Sequence, residues 1–358
     1  MNFSLSMASP IRLALLCLLT VGPFLHAAPP PGYVVEWGYD TPTGAATTPR
    51  MVLSNTVAVT LGMFHGLALR SDGTAAGWRG NSFGQATGGE PSERAVALGT
   101  VTVSGRILSN VVAIAAGRQF SLALKKDGTL ATWGQNYVPK ELTNAVTIAA
   151  AGYMSAAARA DGKVVEWAAD PSMHQYGELF PALGVSNAVA VALGQAYIGV
   201  RKAALLRDGM VTSWGSQSIH RDEDPPAGLS NVVAVTASGG HTLALKRDGT
   251  IVGWGANRSG QATGVPTPDF PNLSAGQVRI EGHTLTNIAS VAAGDGYSLA
   301  LTRDGNLIAW GRMVNELYPA TVPLGLSNVV AIAAGWDSCL AITTNNLVAE
   351  RFRTGPSK

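Results

Sequence analysis

LSNVVAIAAGRQFSLALKKDGTLATWGQ, Leu108 to Gln135, reads as three short strands and a turn. Val111-Val112-Ala113-Ile114-Ala115 is a continuous apolar run of strand length, and Ser121-Leu122-Ala123-Leu124-Lys125 is a second with a polar exit. Asp127-Gly128 supplies the positive-φ pair that a tight two-residue hairpin requires, and Thr129-Leu130-Ala131-Thr132-Trp133 is the returning strand. Leu229 to Gly255, LSNVVAVTASGGHTLALKRDGTIVGWG, repeats the cassette. Self-similarity of this kind means one supersecondary unit stacked on its neighbours.

Seven openings are legible, at Leu53-Ser54-Asn55, Leu108-Ser109-Asn110, Leu142-Thr143-Asn144, Val185-Ser186-Asn187, Leu229-Ser230-Asn231, Leu285-Thr286-Asn287 and Leu326-Ser327-Asn328. Seven closing aromatics answer them, Trp37, Trp78, Trp133, Trp167, Trp214, Trp254 and Trp310, but Trp37 precedes every opening. The series are offset: the chain begins with a lone closing strand, Val34 to Gly38, and ends with opening strands, Val329 to Ile332 and Leu340 to Thr343. Pairing the two ends completes a seventh unit and removes both open edges of a linear stack. The expected fold is therefore all-β, a seven-bladed β-propeller closed by its N- and C-terminal strands. After Ile342 the pattern weakens, with Asn345-Asn346 at the turn and Arg351 where Trp would fall.

The Gly ending the first strand (Gly62, Gly117, Gly194, Gly294, Gly335) marks a place where a side chain would crowd a bend or a neighbouring backbone. Each closing Trp buries about 150–250 Å², so the tryptophans read as core rather than ligand sites. Trp-to-Trp intervals of 41, 55, 34, 47, 40 and 56 residues place extra segments at Gly88 to Gly105 and Pro266 to Gly282. Both read as strand-bearing insertions at the outer edge of two blades, entered through turns at Gln85 and Gln261.

Composition supports one large core. Of 358 residues, 46% are hydrophobic and only 13% charged, with 42 Gly and 19 Pro. Arg12, the run Leu13 to Leu19, Pro23 and Leu25-His26-Ala27-Ala28 have the pattern of a cleaved secretory signal, so residues 1–28 are read as a leader and 29–358 as one domain, secreted or periplasmic. Without the leader, 24 Lys+Arg face 23 Asp+Glu, a balance that offers no field for nucleic acid or a membrane surface. Cys339 is then the single thiol, in an apolar strand, and is read as buried and inert.

These cassettes resemble the repeat of the regulator of chromosome condensation family: an apolar run with Gly, a His-Ser-Leu-Ala-Leu-like strand, Asp-Gly, then Trp-Gly. The similarity covers roughly Tyr33 to Ala349, with the Trp five residues after the Gly of Asp-Gly in six copies. It implies a seven-bladed propeller with shared terminal strands. At the family's His position this chain has His65, Phe120, Met154, His241, Tyr297 and Asp337, and the fourth copy reads as distorted by extra residues around Arg201-Lys202. No exchange-type wedge and no basic tail are found. The secreted bacterial branch, which includes the propeller-type beta-lactamase inhibitory protein, is the closer functional analogue, and that branch binds proteins through loops on one face.

Little in the chain reads as catalytic. The recurring Asp of Asp-Gly is a turn residue rather than a metal ligand. His65 and His241 are read as packed between blades, and Arg221 to Pro226 as a solvated loop lacking the donors of a calcium site. No cofactor and no metal are expected. The informative variation lies between the first-strand Gly and the second strand, where loops should emerge together near the channel: Met63, Phe64, Arg118, Gln119, Tyr153, Gln195, Tyr197, Asp295, Trp336 and Asp337. Aromatics and Arg on a rigid face are hot-spot material, although Phe64, Tyr153 and Tyr197 fit equally as wedges between blades. The expected function is a monomeric, secreted, non-enzymatic scaffold that binds a protein, or alternatively a surface glycan, through this face. The alternatives are a carbohydrate-active enzyme or lectin with a site in the channel, and a passive envelope module.

Overall fold

The computed structural model describes residues 30–39, 46–135, 138–139, 142–168, 182, 184–195, 200–214, 224–238, 240–269, 273–313 and 318–346. Residues 1–28, read above as a leader, Tyr197, His174, His220, residues 221–223 of the acidic run and the residues from 347 lie outside them, as does the side chain of Gln195.

The Leu108 copy forms the strands read from it: Val111–Ala116, Phe120–Lys125 and Leu130–Gly134, antiparallel, with Ala115 opposite Leu122 and Leu122 opposite Thr132. The Asn of all seven openings, Asn55, Asn110, Asn144, Asn187, Asn231, Asn287 and Asn328, sits in the left-handed region, with φ between 53° and 61°. Asn tolerates that region better than other side chains. The Asn110 carbonyl accepts the Lys126 N–H within its own copy, and the next residue, Val111, donates to the carbonyl of Gly73, the turn glycine of the copy before. The opening is thus a backbone staple between consecutive sheets, repeated from Ala145 to Gly128 and from Val232 to Gly209.

The hairpin turn differs from the expectation. Only the Gly of each Asp-Gly has positive φ. Arg70 N–H bonds Thr74 O and Gly73 N–H bonds Arg70 O, which is a three-residue loop with a glycine bulge rather than a two-residue turn. Asp72 Oδ1 accepts both the Thr74 N–H at 2.8 Å and its hydroxyl at 2.7 Å, and these bonds, side chain first, hold the carboxyl below its ordinary range.

The first and last described strands meet. Gly32–Tyr39 pairs with Ser338–Thr343 from Tyr33 opposite Thr343 to Gly38 opposite Ser338, and on its other side with the first half of Ala46–Leu61. That 16-residue strand then continues as the inner strand of the following sheet, where Thr56 to Leu61 pair with His65–Arg70. Around the ring, the inner strands Ala46–Leu61, Val111–Ala116, Ala145–Ala151, Ala188–Gln195, Val232–Ser238, Ile288–Ala293 and Val329–Ala334 each touch the next, and the last touches the first. These seven line one central channel of about 1160 Å³. The molecule is all-β, a propeller closed as the offset of the repeat predicts.

The tryptophans occupy the seams. Trp167 packs with Phe120, Leu122 and Leu124 of the preceding sheet, Trp133 with Leu67 and Leu69, Trp254 with Leu205, and Trp37 with Leu299 and Leu301. At Gly117 and Gly294 an added Cβ would lie 2.2 and 2.1 Å from the rings of Phe120 and Tyr297, which explains the recurrent glycine.

The insertions add an outer strand, Ser92–Thr100 or Leu273–Gln277, followed by a small hairpin, Thr102–Val103 with Arg106–Ile107 or Arg279–Ile280 with His283–Thr284. Asn81 and Asn257 build the turns into them: each side-chain oxygen accepts two N–H groups, of Ala86 and Thr87 or of Ala262 and Thr263. Asn257, the first residue of the sequon Asn257-Arg258-Ser259, is wholly buried in this role.

The fourth copy is in register. Arg201 lies opposite Gly194 and Lys202 opposite Leu193, as His241 and Thr242 lie opposite Ser238 and Ala237 in the fifth. Arg201 and Lys202 therefore replace the family's His-Ser pair rather than distorting the strand; the added length falls in residues 196–199, outside the described residues.

Candidate functional site

The channel mouth at the first-strand glycines is built by backbone bonds from one loop to the next. Met63 N–H donates to Gly117 O, Arg118 N–H to Gly152 O, and Asp295 N–H to Gly335 O. The loops are thus fixed relative to one another by the ring itself.

Three of the expected residues come together on this frame. The Arg118 guanidinium carbon lies 5.7 Å from the centre of the Phe64 ring and 5.2 Å from that of Tyr153. The rings come from the copies before and after, so Arg118 is flanked on both sides around the mouth. Phe64 is 41% exposed. Tyr153 is half-buried and packs against the core of its own seam, so its ring serves both a wedge and a face. Cation–π contact of this kind adds about 0.5–1 kcal/mol at exposed positions.

Met63, Asp295 and Trp336 line the channel, together with Arg258. Gln119 uses its carbonyl to accept the Gln135 N–H. Asp337 lies 3.6 Å from Arg79, which also reaches Glu36 at 3.4 Å and donates to Ser338 Oγ at 2.7 Å. Asp337 therefore also takes part in the ring closure. Arg79 was missed, although it stands where Gly134, Gly255 and Gly311 follow Trp and itself adopts φ 73°.

The channel walls are mostly Ala, Val, Ile, Thr and Gly, and Asp295 is the carboxylate among the described lining residues. No group of three or more His, Cys, Asp or Glu able to hold a metal occurs among the described residues. Buried polar groups instead join the sheets. Ser121 Oγ donates to Gln85 O at 2.7 Å, so His65 Nε2–H must donate to Ser121 Oγ, also at 2.7 Å. His241, Ser298 and Gln261 repeat the relay at 2.8 Å for both bonds. Burial lowers the pKa of both imidazoles to about 3, with Arg201 adding repulsion at His241. Lys202 meets Glu166 across the third seam at 2.9 Å, with side-chain exposures of 0% and 2%. Tyr297 OH donates to Ser338 O at 2.8 Å, and burial raises the Cys339 thiol to about 12.

Residues 111–138, 232–261 and 288–315 match the Regulator of chromosome condensation (RCC1) repeat. Protein pim1 of Schizosaccharomyces pombe is 28% identical over 167 residues, which cover 36% of this chain and 30% of that protein. The guanine nucleotide exchange factor SRM1 of Saccharomyces cerevisiae is 28% identical over 156 residues, 40% of this chain and 31% of that protein. The chain thus spans about a third of the length of these relatives. Among solved structures, Prp20p of Saccharomyces cerevisiae, studied with its binding to Gsp1p and histones, superposes with a TM-score of 0.67 at 17% identity, covering 93% of this chain and 95% of that one. Human WBSCR16 superposes with a TM-score of 0.62 at 14% identity, over 87% and 100%. The chain carries the regulator of chromosome condensation repeat on the fold of these propellers.

Proposed function

We propose that this regulator of chromosome condensation repeat ring is a non-enzymatic scaffold that binds a protein partner through the loops at the Phe64 mouth of its channel. The observation that carries the reading is the row Phe64, Arg118, Tyr153: two aromatics and an arginine from three successive copies, in contact and fixed by backbone bonds between loops. Residues of these types, held rigid around a concavity, lose little conformational freedom when a partner arrives. Protein binding by the structurally similar Prp20p supports the reading.

Alanine at Trp336, Tyr153 and Arg118, alone and combined, is the test, with capture of proteins from the producing cell and its medium as the readout. The combined variant, which also takes Tyr153 out of its seam, should melt somewhat lower, remain folded at the assay temperature and lose its captured partner; retention of every partner by the folded combined variant sinks the reading.

Export, read from residues 1–28, and a monomeric state belong to the same proposal. N-terminal sequencing of the protein recovered outside the cytoplasm should begin near Pro29, and sedimentation should return the mass of one chain.

A further inference from the structure

We propose that Arg118 is a carboxylate receptor, taking the side chain of an aspartate or glutamate that a protein partner inserts into the channel mouth; this rests on the reading that the face binds protein. Four observations converge on it. Arg118 has no carboxylate within ion-pair distance among the described residues, whereas Arg79, Arg159, Lys202 and Lys246 each have one. Its Nε is buried without a hydrogen-bond partner there. Its flanks are covered by Phe64 and Tyr153. Its backbone is tied to Gly152, and it lines the channel.

A guanidinium flanked by rings is left to bind in its own plane, where its N–H fork matches the two oxygens of a carboxylate. The lining sets the charge of the guest: Arg118 and Arg258 stand against Asp295, a surplus of one positive charge among the described lining residues, which suits a carboxylate better than a dianionic phosphate. The volume sets its size. About 1160 Å³ exceeds the roughly 300–1,000 Å³ of pockets that enclose small molecules, and the space suits a projecting loop.

The test uses acetylated, amidated peptides Gly-Glu-Gly-Glu-Gly, its Gln counterpart and its phosphoserine counterpart, titrated by NMR into the full-length folded protein. The Glu peptide should bind about fivefold more tightly than the Gln peptide, with Tyr153 ring signals shifting. That preference should vanish in Arg118→Met and persist in part in Arg118→Lys, which keeps the charge without the fork. Equal affinity for Glu and Gln peptides, survival of the preference in Arg118→Met, or tighter binding of the phosphoserine peptide overturns the assignment. If Arg118→Met lowers the melting temperature, Arg118→Gln replaces it under the same criteria. A partner lost from Phe64→Ala and Tyr153→Ala but retained by Arg118→Met overturns the receptor while leaving the face intact; a partner retained by all three overturns the face itself.

Discussion

Arg79→Gly isolates the electrostatics of ring closure, because glycine is what other copies carry there. Arg79 adopts φ 73°, close to the 80° and 83° of Gly134 and Gly311, and a Cβ in that region costs about 1–2 kcal/mol. Replacement relieves this strain, while glycine's greater freedom in the unfolded chain returns about 0.5–1 kcal/mol. Against that small net gain stands the loss of contacts to Glu36, Asp337 and Ser338. The Glu36 side chain is 5% exposed and Arg79 28%. Stripping a buried carboxylate of its cation costs about 3–5 kcal/mol, and partial exposure of the arginine cuts this to about 2–3. Set against the strain relief, Arg79→Gly should lose about 1–2 kcal/mol net, a drop of about 2–3 °C for a domain of this length. Hydrogen exchange should accelerate in Gly32–Tyr39 ahead of Val111–Ala116. Adding Glu36→Gln removes the orphaned charge, so the double variant should recover at least half the loss, a coupling read from a double-mutant cycle. Arg79→Gly melting at or above the wild type, or strict additivity with Glu36→Gln, would refute the reasoning.

Trp133→Ala, which empties a seam lined by Leu67 and Leu69, should lose about 3–5 kcal/mol in urea titration; a loss under about 1 kcal/mol counts against seam packing as the main source of stability. His65 and His241 ionise at about 3 when folded and near 6.5 when unfolded. Their stabilisation is complete above pH 6.5 and is lost as pH falls toward 3, by up to about 1.4 kcal/mol per unit for each. His65→Phe with His241→Phe, borrowing the residue of the Phe120 copy, should flatten the decline in melting temperature between pH 6.5 and 4. An unchanged slope means that neither imidazole is held neutral by burial. Cys339, raised to about 12 and fully buried, should resist a thiol reagent at pH 8 until urea unfolds the protein. Asn231→Gly should be nearly silent and Asn231→Val destabilising by about 1–2 kcal/mol, because φ there is 58°.

Strands and seams were legible because their signal is local and recurs in every copy: an apolar run, a second run, then Trp. The offset of Trp37 from the first opening was enough to predict closure, since an unpaired half-unit at each end has one economical solution. Asn55 and its six counterparts were visible as a motif, but their role needed a second sheet, because the bond they position runs from Val111 to Gly73. Arg201-Lys202 looked like a distortion because charges are rare in strand interiors; the register shows them filling the His-Ser positions, with Glu166 of the neighbouring copy as counter-ion. At the mouth, loop position alone nominated Phe64, Arg118 and Tyr153 correctly as neighbours. The ion pair of Asp337 was not legible, and Arg79 was overlooked, because nothing local marks a contact between residues so far apart in sequence as Glu36, Arg79 and Asp337.

The strand Ala46–Leu61, shared between two sheets, makes closure a long-distance event. Gly32–Tyr39 can form a ribbon with it early, but its second neighbour, Ser338–Thr343, is synthesised about 300 residues later. Until then a strand carrying Val34, Val35 and Trp37 keeps one side bare, open to pairing with another nascent chain. The closing step must also draw together groups such as Val35 and Ala341, about 300 residues apart, which makes it slow. Once zipped, Gly32–Tyr39 and Ser338–Thr343 are side by side, so the ring could be relinked between them and cut at another junction with its architecture preserved.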